Sequence, residues 1–245
     1  MGAIFFVRSH FLSYREDKIR IAAALVALSY MVFFSGCVGG SIKPYFSNFW
    51  NSNYEDYNAR GTGSFVNSSV VMTNRHVADV CKKKILIRDR EFLYGAEIIA
   101  KLDKKRGDVA FLRTSAKRKK FVLFNFDLPK RGDIISFLNY TSTPGKFTKA
   151  KGKIINADNK DLSFVDSKGR KGNSGSPLFD SKGRVIGILW GGGGIFTAYG
   201  VGTSAATILE FAKENKVELF APAAKDSKVQ KEYFDEEVVT VLCQR

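Results

Sequence analysis

Short runs of β-branched and aromatic residues recur from Gly61 onward, and this spacing constrains the fold more than any other feature of the chain. The runs follow one another every eight to fourteen residues, separated by turn residues such as Asp180-Ser181-Lys182-Gly183. The twelve runs are Ser64–Val66, Val70–Thr73, Ile85–Ile87, Phe92–Ile99, Asp108–Leu112, Phe121–Phe124, Ile134–Leu138, Phe147–Ile155, Leu162–Val165, Pro177–Phe179, Val185–Trp190 and Ile195–Val201. Many short strands at this spacing predict an all-β barrel or sandwich and not alternating βαβ units.

A helical period appears only after these runs. Ser204 is a suitable N-cap, and the apolar residues within Ile208–Ala212 repeat at helical spacing. A polar linker, Ala223–Lys231, then leads to an amphipathic segment, Tyr233–Leu242. No internal repeat is evident, so we expect one sizeable domain without an appended peptide-binding module.

The chain is strongly basic, with 39 Lys and Arg residues against 24 Asp and Glu and a formal net charge of +15. Such a balance favours anionic partners. The basic clusters fall between predicted strands, which is typical of solvated loops, with binding to anionic lipid as the alternative. These clusters are Lys82–Lys84, Lys104–Arg106 and Lys117–Lys120. No nucleic-acid recognition motif accompanies them, so nucleic acid is not an expected partner.

The N-terminal region contains an uncharged stretch, Ile21–Ile42, which follows basic residues at Arg15, Lys18 and Arg20. A basic region, an apolar region and small residues before a cleavage point are typical of a secretory signal. Cys37 directly follows Ser-Gly, which resembles the lipobox of bacterial lipoproteins, where this cysteine is lipidated. We therefore expect residues 1–37 to be a lipoprotein signal, with an uncleaved membrane anchor and a buried core helix as alternatives. The first two place the following domain outside the cytoplasm.

One stretch has the composition of a reactive turn, Gly172-Asn173-Ser174-Gly175, followed by Ser176-Pro177 and an apolar run. Glycines let the backbone approach a substrate carbonyl and leave amide hydrogens free to point at it. Taken alone, the stretch also fits an ordinary surface turn. A serine hydroxyl becomes nucleophilic at neutral pH only beside a base, so the interpretation depends on the rest of the chain.

A base and a carboxylate are both available. His76 is the only histidine after the N-terminal apolar stretch, and histidine is the side chain best suited to accept the proton. Asp108 stands at the head of a predicted strand, where it can be held rigidly to orient the imidazole. It is favoured over Asp103, which lies in a charged loop. The order His76, Asp108, Ser174 is the chymotrypsin-like one, whereas an α/β-hydrolase would need a histidine after the serine.

At these residues the sequence resembles the trypsin-like serine protease superfamily, and most closely its bacterial HtrA/Deg branch, without a PDZ domain. The stretches that carry the resemblance are Gly61–Ser64, Thr73–Val77 around the histidine, Asp108–Leu112 at the aspartate and Gly172–Phe179 around the serine. The similarity spans roughly Gly61 to Asn215. It implies two six-stranded antiparallel β-barrels, with the site in the cleft between them and a C-terminal helix. The expected organisation is a tether and lead-in segment over 38–60, a protease domain over 61–222 and a C-terminal tail over 223–245.

The resemblance also implies the chemistry of a serine endopeptidase. His76 would remove the proton from Ser174, which would attack a peptide carbonyl, and Asp108 would steady the imidazole. The amides of Gly172 and Ser174 would hold the oxyanion. The expected partner is a peptide or protein substrate, and no cofactor is expected. The expected location is the cell envelope, outside the cytoplasm, as a membrane-anchored lipoprotein or as a periplasmic or secreted protein.

Substrate contacts follow from the same resemblance. Leu189, Trp190 and Gly191 resemble the segment that pairs with an extended substrate by β-augmentation. Lys168 lies in the loop that should line the primary pocket, and its charge favours acidic side chains. The main alternative is a catalytically inactive trypsin-like binding protein at the cell envelope, and a viral trypsin-like protease fits the lipobox-like start less well.

Two departures from the family pattern concern the serine turn. Asn173 stands where vertebrate trypsins have an aspartate that pairs with a freshly cut N-terminus, so activation by N-terminal insertion is not expected. Ser176 stands in place of a usual glycine and could crowd the turn. Cys81 and Cys243 could pair in an oxidising compartment or remain as buried thiols. One histidine and scattered thiols do not make a metal site.

Overall fold

The chain forms two closed β-barrels of six antiparallel strands each, as the resemblance implied. The computed structural model describes residues 59–140, 146–165, 171–193, 199–222 and 234–244. The expected signal peptide with Cys37, almost all of the tether, and Lys168 lie outside the described residues. No helix of the described residues is long and apolar enough to cross a membrane.

The elements follow the order of the apolar runs along the chain. The strands are β1 Ala59–Phe65, β2 Val70–Thr73, β3 Lys84–Asp89, β4 Phe92–Lys101, β5 Ala110–Thr114, β6 Ile134–Tyr140, β7 Phe147–Ala157, β8 Asp161–Val165, β9 Pro177–Phe179, β10 Val185–Gly193, β11 Tyr199–Ser204 and β12 Val238–Gln244. The helices are α1 Arg75–Asp79, α2 Ala205–Glu214 and α3 Phe234–Glu237. The first barrel has the strand order β1-β12-β3-β4-β5-β2, and the second has the order β10-β11-β8-β7-β6-β9.

One predicted strand, Phe121–Phe124, is instead part of the crossing from the first barrel to the second. Phe124 makes a single parallel bridge with Val185, and its amide donates to the carbonyl of Phe220 at 2.7 Å. The Phe121 ring packs on Phe220 with centroids 4.6 Å apart. The prediction was wrong because burial between the barrels selects the same aromatic residues as burial in a sheet.

The sixth strand of the first barrel comes from the C-terminal segment, which the sequence assigned to a tail outside the domain. β12 lies between β1 and β3 and pairs antiparallel with both, for example Val241 with Gly61 and with Ile87. Its residues from Val238 to Cys243 are all buried. A strand buried on both faces lacks the alternation of a half-exposed strand, so the amphipathic interpretation of Tyr233–Leu242 missed it.

Helix α2 follows the second barrel directly and confirms the expected C-terminal helix. The Ser204 side chain accepts a hydrogen bond from the amide of Thr207 at 3.3 Å, as an N-cap does. The buried ring of Phe211 stacks on Phe111 of β5 with centroids 5.0 Å apart. This helix therefore packs its apolar side against a strand of the first barrel and joins the two barrels through a common core.

Cys81 and Cys243, whose pairing the sequence left open, form a disulfide with Cα atoms 4.7 Å apart. Cys81 follows α1 by two residues, and Cys243 lies in β12. The bond therefore links the end of the helix that carries His76 to the C-terminal strand across 162 residues of sequence.

Glu237 is a buried acidic group at the end of α3, directly before β12. Its side chain is buried, with 6% of the residue exposed. Burial, together with the negative charge of the neighbouring Glu236, raises the pKa of Glu237 to about 7. Since the native state binds this proton more tightly than the unfolded chain, the native state is penalised as the pH rises from the ordinary glutamate range through 7.

We expect Glu237→Gln to stabilise the protein above pH 7, by on the order of 1–2 kcal/mol, and to have little effect near pH 4.5. Urea unfolding at pH 5, 6, 7 and 8 measures this difference. Glu97→Gln, which removes an exposed carboxylate on β4, is the matched control and should leave the pH dependence unchanged. Equal effects of the two changes at pH 8 would contradict the assignment to Glu237.

Candidate active site

His76 lies on a short helix whose N-terminal end is held by side-chain hydrogen bonds. β2 ends at Thr73, and α1 begins at Arg75. The Asn74 side chain does not cap this helix, and its amide instead donates to the main-chain carbonyl of Asp108 at 2.7 Å. The Arg75 guanidinium donates to the carbonyl of Leu102 at 2.6 Å. The histidine helix is thereby tied to the loop between β4 and β5.

The Asp108 carboxylate holds His76 through two contacts. One carboxylate oxygen accepts the His76 amide at 2.9 Å, and the other lies 2.5 Å from Nδ1 of the ring. About half of the histidine side chain is exposed. With Nδ1 engaged, Nε2 is the ring nitrogen left to exchange a proton with a hydroxyl. Asp103, the rival carboxylate, accepts the Lys105 amide within its own exposed turn.

The loop that carries Asp108 belongs to the first barrel but is fastened to the second. The Asp108 amide donates to the hydroxyl of Thr203, a fully buried residue of β11, at 3.1 Å. The Arg106 guanidinium donates to both carboxylate oxygens of Glu214 on α2, at 2.8 and 2.9 Å. Sequence reasoning missed these partners because a strand threonine and a helix glutamate carry no motif.

The serine turn adopts a backbone that requires glycine. Gly172 and Gly175 have φ angles of +96° and +93°, in the left-handed region. A Cβ on Gly175 would lie 1.9 Å from the carbonyl oxygen of Thr62 and 2.7 Å from the hydroxyl of Thr73. The turn therefore packs directly onto β1 and β2 of the first barrel, with no room for a side chain.

Backbone hydrogen bonds hold the turn between the two barrels. Thr62 donates its amide to the carbonyl of Ser174 at 2.8 Å and its hydroxyl to the carbonyl of Gly172 at 2.7 Å. The amide of Gly175 donates to the carbonyl of Leu189 at 2.8 Å, and the Leu189 amide donates to Ser176 at 2.8 Å. The amides of Gly172 and Ser174 donate to no acceptor among the described residues.

Two buried side chains of the turn are anchored on β6. The Asn173 side-chain oxygen accepts the Tyr140 amide at 2.9 Å, and its NH₂ group donates to Asn139 at 2.5 Å. The Ser176 hydroxyl donates to the carbonyl of Leu138 at 3.0 Å and accepts its amide at 3.1 Å. The crowding considered for Ser176 is absent within the described residues, because its hydroxyl fills a place where β6 supplies both a donor and an acceptor.

Gly61 shows how close the histidine helix and the serine turn come to each other. A Cβ on Gly61 would lie 2.7 Å from two methyl carbons of Val77 and 3.2 Å from the carbonyl oxygen of Ser174. Val77 directly follows His76 in α1. The two stretches that sequence reasoning assigned to base and nucleophile thus meet across a single glycine.

Trp190 lines a cleft of about 590 Å³ together with His76, Asp108, Lys104 and Lys160. The ladder between β10 and β11 has a bulge at Trp190, whose surface is 36% exposed. Trp190 is therefore exposed to solvent in the same cleft as the His76–Asp108 pair. Within the described residues, no group of three His, Cys, Asp or Glu side chains is placed to bind a metal ion.

Leu189 differs from the expected substrate contact. It is 4% exposed, and its amide and carbonyl both bond to the serine turn. The structure therefore makes Leu189 a support of the turn, and the accessible part of this strand begins at Trp190. The next residue, Gly191, pairs with Val201 of β11.

The comparisons with known proteins agree with this geometry. A family model described as a trypsin-like peptidase domain matches residues 61–188. The chain belongs to the trypsin-like peptidase family. The predicted resemblance to the HtrA/Deg branch is confirmed by relatives that are named DegP-like.

A probable periplasmic serine endoprotease of the DegP-like type from Brucella suis is 31% identical over 179 residues, which are 65% of this chain and 34% of that protein. Its counterpart in Chlamydia muridarum is 35% identical over 139 residues, which are 53% of this chain and 27% of that protein. The chain thus spans about a third, or less, of the length of these relatives.

Solved structures support the two-barrel fold. The serine endoprotease from Yersinia pestis matches with a TM-score of 0.57 at 20% identity, over 64% of this chain and 58% of that one. The active form of a protease from M. tuberculosis matches with a TM-score of 0.54 at 23% identity, over 69% of this chain and 78% of that one. At these identities the likeness concerns the fold.

Gly175→Ala should destabilise the protein by about 3–5 kcal/mol, because the new methyl group overlaps the Thr62 carbonyl and the backbone is held at positive φ. Urea unfolding measures the change. Gly95→Ala is the control, since a Cβ there meets open space, and it should alter stability by less than about 0.5 kcal/mol. If both variants unfolded like the wild type, the packing of the turn on β1 would be refuted.

Proposed function

We propose that this protein is a serine endopeptidase that hydrolyses peptide bonds through an acyl-enzyme, with His76, Asp108 and Ser174 as its triad. The observation that carries the proposal is the double contact between the Asp108 carboxylate and His76, through the backbone amide and Nδ1. Membership of the trypsin-like peptidase family supports the reaction class.

In the first step the Ser174 hydroxyl attacks the carbonyl carbon of the scissile bond while Nε2 of His76 takes its proton. Asp108 keeps Nδ1 protonated, which leaves Nε2 unprotonated to act as the base, and stabilises the imidazolium once it forms. His76 then returns the proton to the leaving amine, and the acyl group remains on Ser174. In the second half-reaction His76 deprotonates a water molecule as it attacks the acyl carbonyl. The ester bond to Ser174 then breaks, His76 returns the proton to the serine oxygen, and the acyl group leaves as a carboxylic acid.

The negative charge on the tetrahedral intermediate needs donors that are fixed in advance. The amides of Gly172 and Ser174 fulfil this role, because the turn is held rigid by Thr62 on one side and Leu189 on the other. Losing one such donor typically costs about 2.7–4 kcal/mol of transition-state stabilisation. The turn needs no ion pair with a new N-terminus, since Asn173 is anchored on β6.

The substrate is a peptide or protein segment in an extended conformation. We place it along the backbone at Trp190 and Gly191, where the edge of β10 continues past the serine turn. A preference for acidic side chains through Lys168 belongs to the same proposal. The DegP-like relatives are named periplasmic, which supports a location in the cell envelope outside the cytoplasm. Attachment to the membrane through lipidated Cys37 or through an N-terminal helix is part of the proposal.

A fluorophosphonate probe tests whether Ser174 is an activated nucleophile. We expect the wild-type protein to be labelled and Ser174→Ala to remain unlabelled. Ser167→Ala, in the same region of the chain, is the matched control and should retain labelling. The absence of labelling in the wild type would instead favour the inactive binding protein, whose cleft would hold a partner without cutting it.

Asp108→Asn should retain the fold and lower kcat by about 10⁴-fold, because the amide cannot hold the required tautomer of His76. Hydrolysis of an unspecific protein substrate such as casein, with circular dichroism as the check on folding, measures the effect. Asp103→Asn changes the rival carboxylate in the same loop and should keep its activity. The role of Asp108 would be refuted by near-normal activity of Asp108→Asn, and loss of activity only in Asp103→Asn would transfer the role.

A further inference from the structure

The outer side of β7 carries a row of lysines that the catalytic site does not use. Lys149, Lys151 and Lys153 are exposed, whereas Gly152 and Ile154 between and after them are buried. Since side chains alternate along a strand, the three lysines lie on one side of the sheet, about 7 Å apart. We call this surface the β7 face.

Apolar side chains lie among these charges. Ile134 of β6 pairs with Lys153 and is 53% exposed, and Val165 of β8 pairs with Lys153 from the other side. Ile155 lies where the ladder between β7 and β8 is irregular, and it is 38% exposed. The β7 face is therefore a mixed surface, in which a cation is flanked by branched aliphatic groups on both neighbouring strands.

The turn before β6 adds positive charge beside this face. The amide of Gly132 donates to the carbonyl of Ile154 at 2.8 Å, and the Ile154 amide donates to the carbonyl of Asp133 at 2.9 Å. This turn carries Lys130 and Arg131, both exposed. The only carboxylate in the turn, that of Asp133, accepts the Lys130 amide at 2.8 Å.

Lys151 and Lys153 form no ion pair within the described residues. Asp180 lines the same shallow depression as Lys149 and Lys151, but its carboxylate is bound by the Arg184 side chain at 2.7 Å. Lys151 and Lys153 thus give the β7 face positive charge that no carboxylate of the described residues pairs with.

We propose that the β7 face docks on the surface of an anionic lipid bilayer. A bilayer surface offers negative head groups to the lysines and an apolar layer just below them to Ile134 and Ile155. Single-stranded nucleic acid is the poorer match, because it is bound by several exposed aromatic rings. Of the exposed aromatic residues among those described, Phe92 and Trp190 lie elsewhere. Only Tyr199 is in the same cross-strand row, paired with Val165, and an amphipathic ring of this kind also suits a bilayer interface.

The length of the preceding chain is compatible with this docking. The uncharged stretch Ile21–Ile42 is separated from β1 by residues 43–58, which span at most roughly 55 Å when fully extended. If that stretch attaches to a membrane, as proposed above, the barrels remain near the bilayer. Docking through the β7 face would then fix which side of the protease faces the lipid.

Lysine acylation of the full chain on vesicles tests the proposal directly. With an amine-reactive acetyl ester and mass spectrometry, Lys151 and Lys153 should react more slowly on vesicles of phosphatidylglycerol and phosphatidylcholine than on phosphatidylcholine alone. Lys82 and Lys83, exposed on the first barrel, should react equally on both. The comparison holds even if the N-terminal stretch binds both kinds of vesicle.

A second measurement uses variants with the same change in net charge. The ratio of partitioning onto anionic and neutral vesicles should fall about 30-fold for Lys151→Gln with Lys153→Gln, at low salt. The matched pair Lys82→Gln with Lys83→Gln should change this ratio only slightly. High salt should remove the difference between the two vesicle types.

Three outcomes would overturn the proposal. Equal reactivity of Lys151 and Lys153 on both vesicle types would mean that the β7 face does not touch lipid. Equal losses for the two variant pairs would mean that net charge alone, and not this face, governs binding. Protection of the same lysines by a soluble DNA oligonucleotide, without protection by anionic vesicles, would assign the face to nucleic acid.

Discussion

The serine turn depends on one constraint, that the polar backbone groups of a buried turn must find partners. Those partners come from both barrels. Thr62 of the first barrel holds the carbonyls of Gly172 and Ser174, and Leu189 of the second barrel holds the other side of the turn. The turn therefore has its conformation only when the barrels are correctly placed. Within the described part of the chain, the amides of Gly172 and Ser174 donate to no acceptor in this arrangement.

The loop that carries Asp108 likewise finds hydrogen-bond partners on the other barrel. The loop belongs to the first barrel, but the Asp108 amide donates to Thr203 of the second barrel. In addition, the Arg106 guanidinium donates to the Glu214 carboxylate on α2. An exposed ion pair of this kind contributes little to stability. The ion pair instead helps to position the Asp108 loop. The placement of Asp108, of His76 and of the serine turn each depends on contacts between the barrels.

From the sequence we could propose only those parts of the candidate site whose chemistry allows few alternatives. His76, Asp108 and Ser174 could be chosen because nucleophile, base and carboxylate are restricted to a few residue types. Thr62 and Thr203 could not, because ordinary strand threonines act here only through long-range contacts. Leu189 was placed on the correct strand, but its burial depends on the neighbouring turn. The predictions for Phe121–Phe124 and for the C-terminal strand were wrong for the same reason. Apolar composition indicates that a segment is buried, but not which part of the protein it packs against.

The C-terminal strand has a consequence for how this protein is made. β12 lies between β1 and β3, so these two early strands lack their common neighbour until every strand of the second barrel has been synthesised. Contacts of such long sequence separation form late and slowly. Until then the first barrel is open, and the helix that bears His76 lacks its link to Cys243. The order of synthesis thus delays closure of the first barrel, and with it the covalent fixing of the histidine helix, until after the strands of the second barrel have been made.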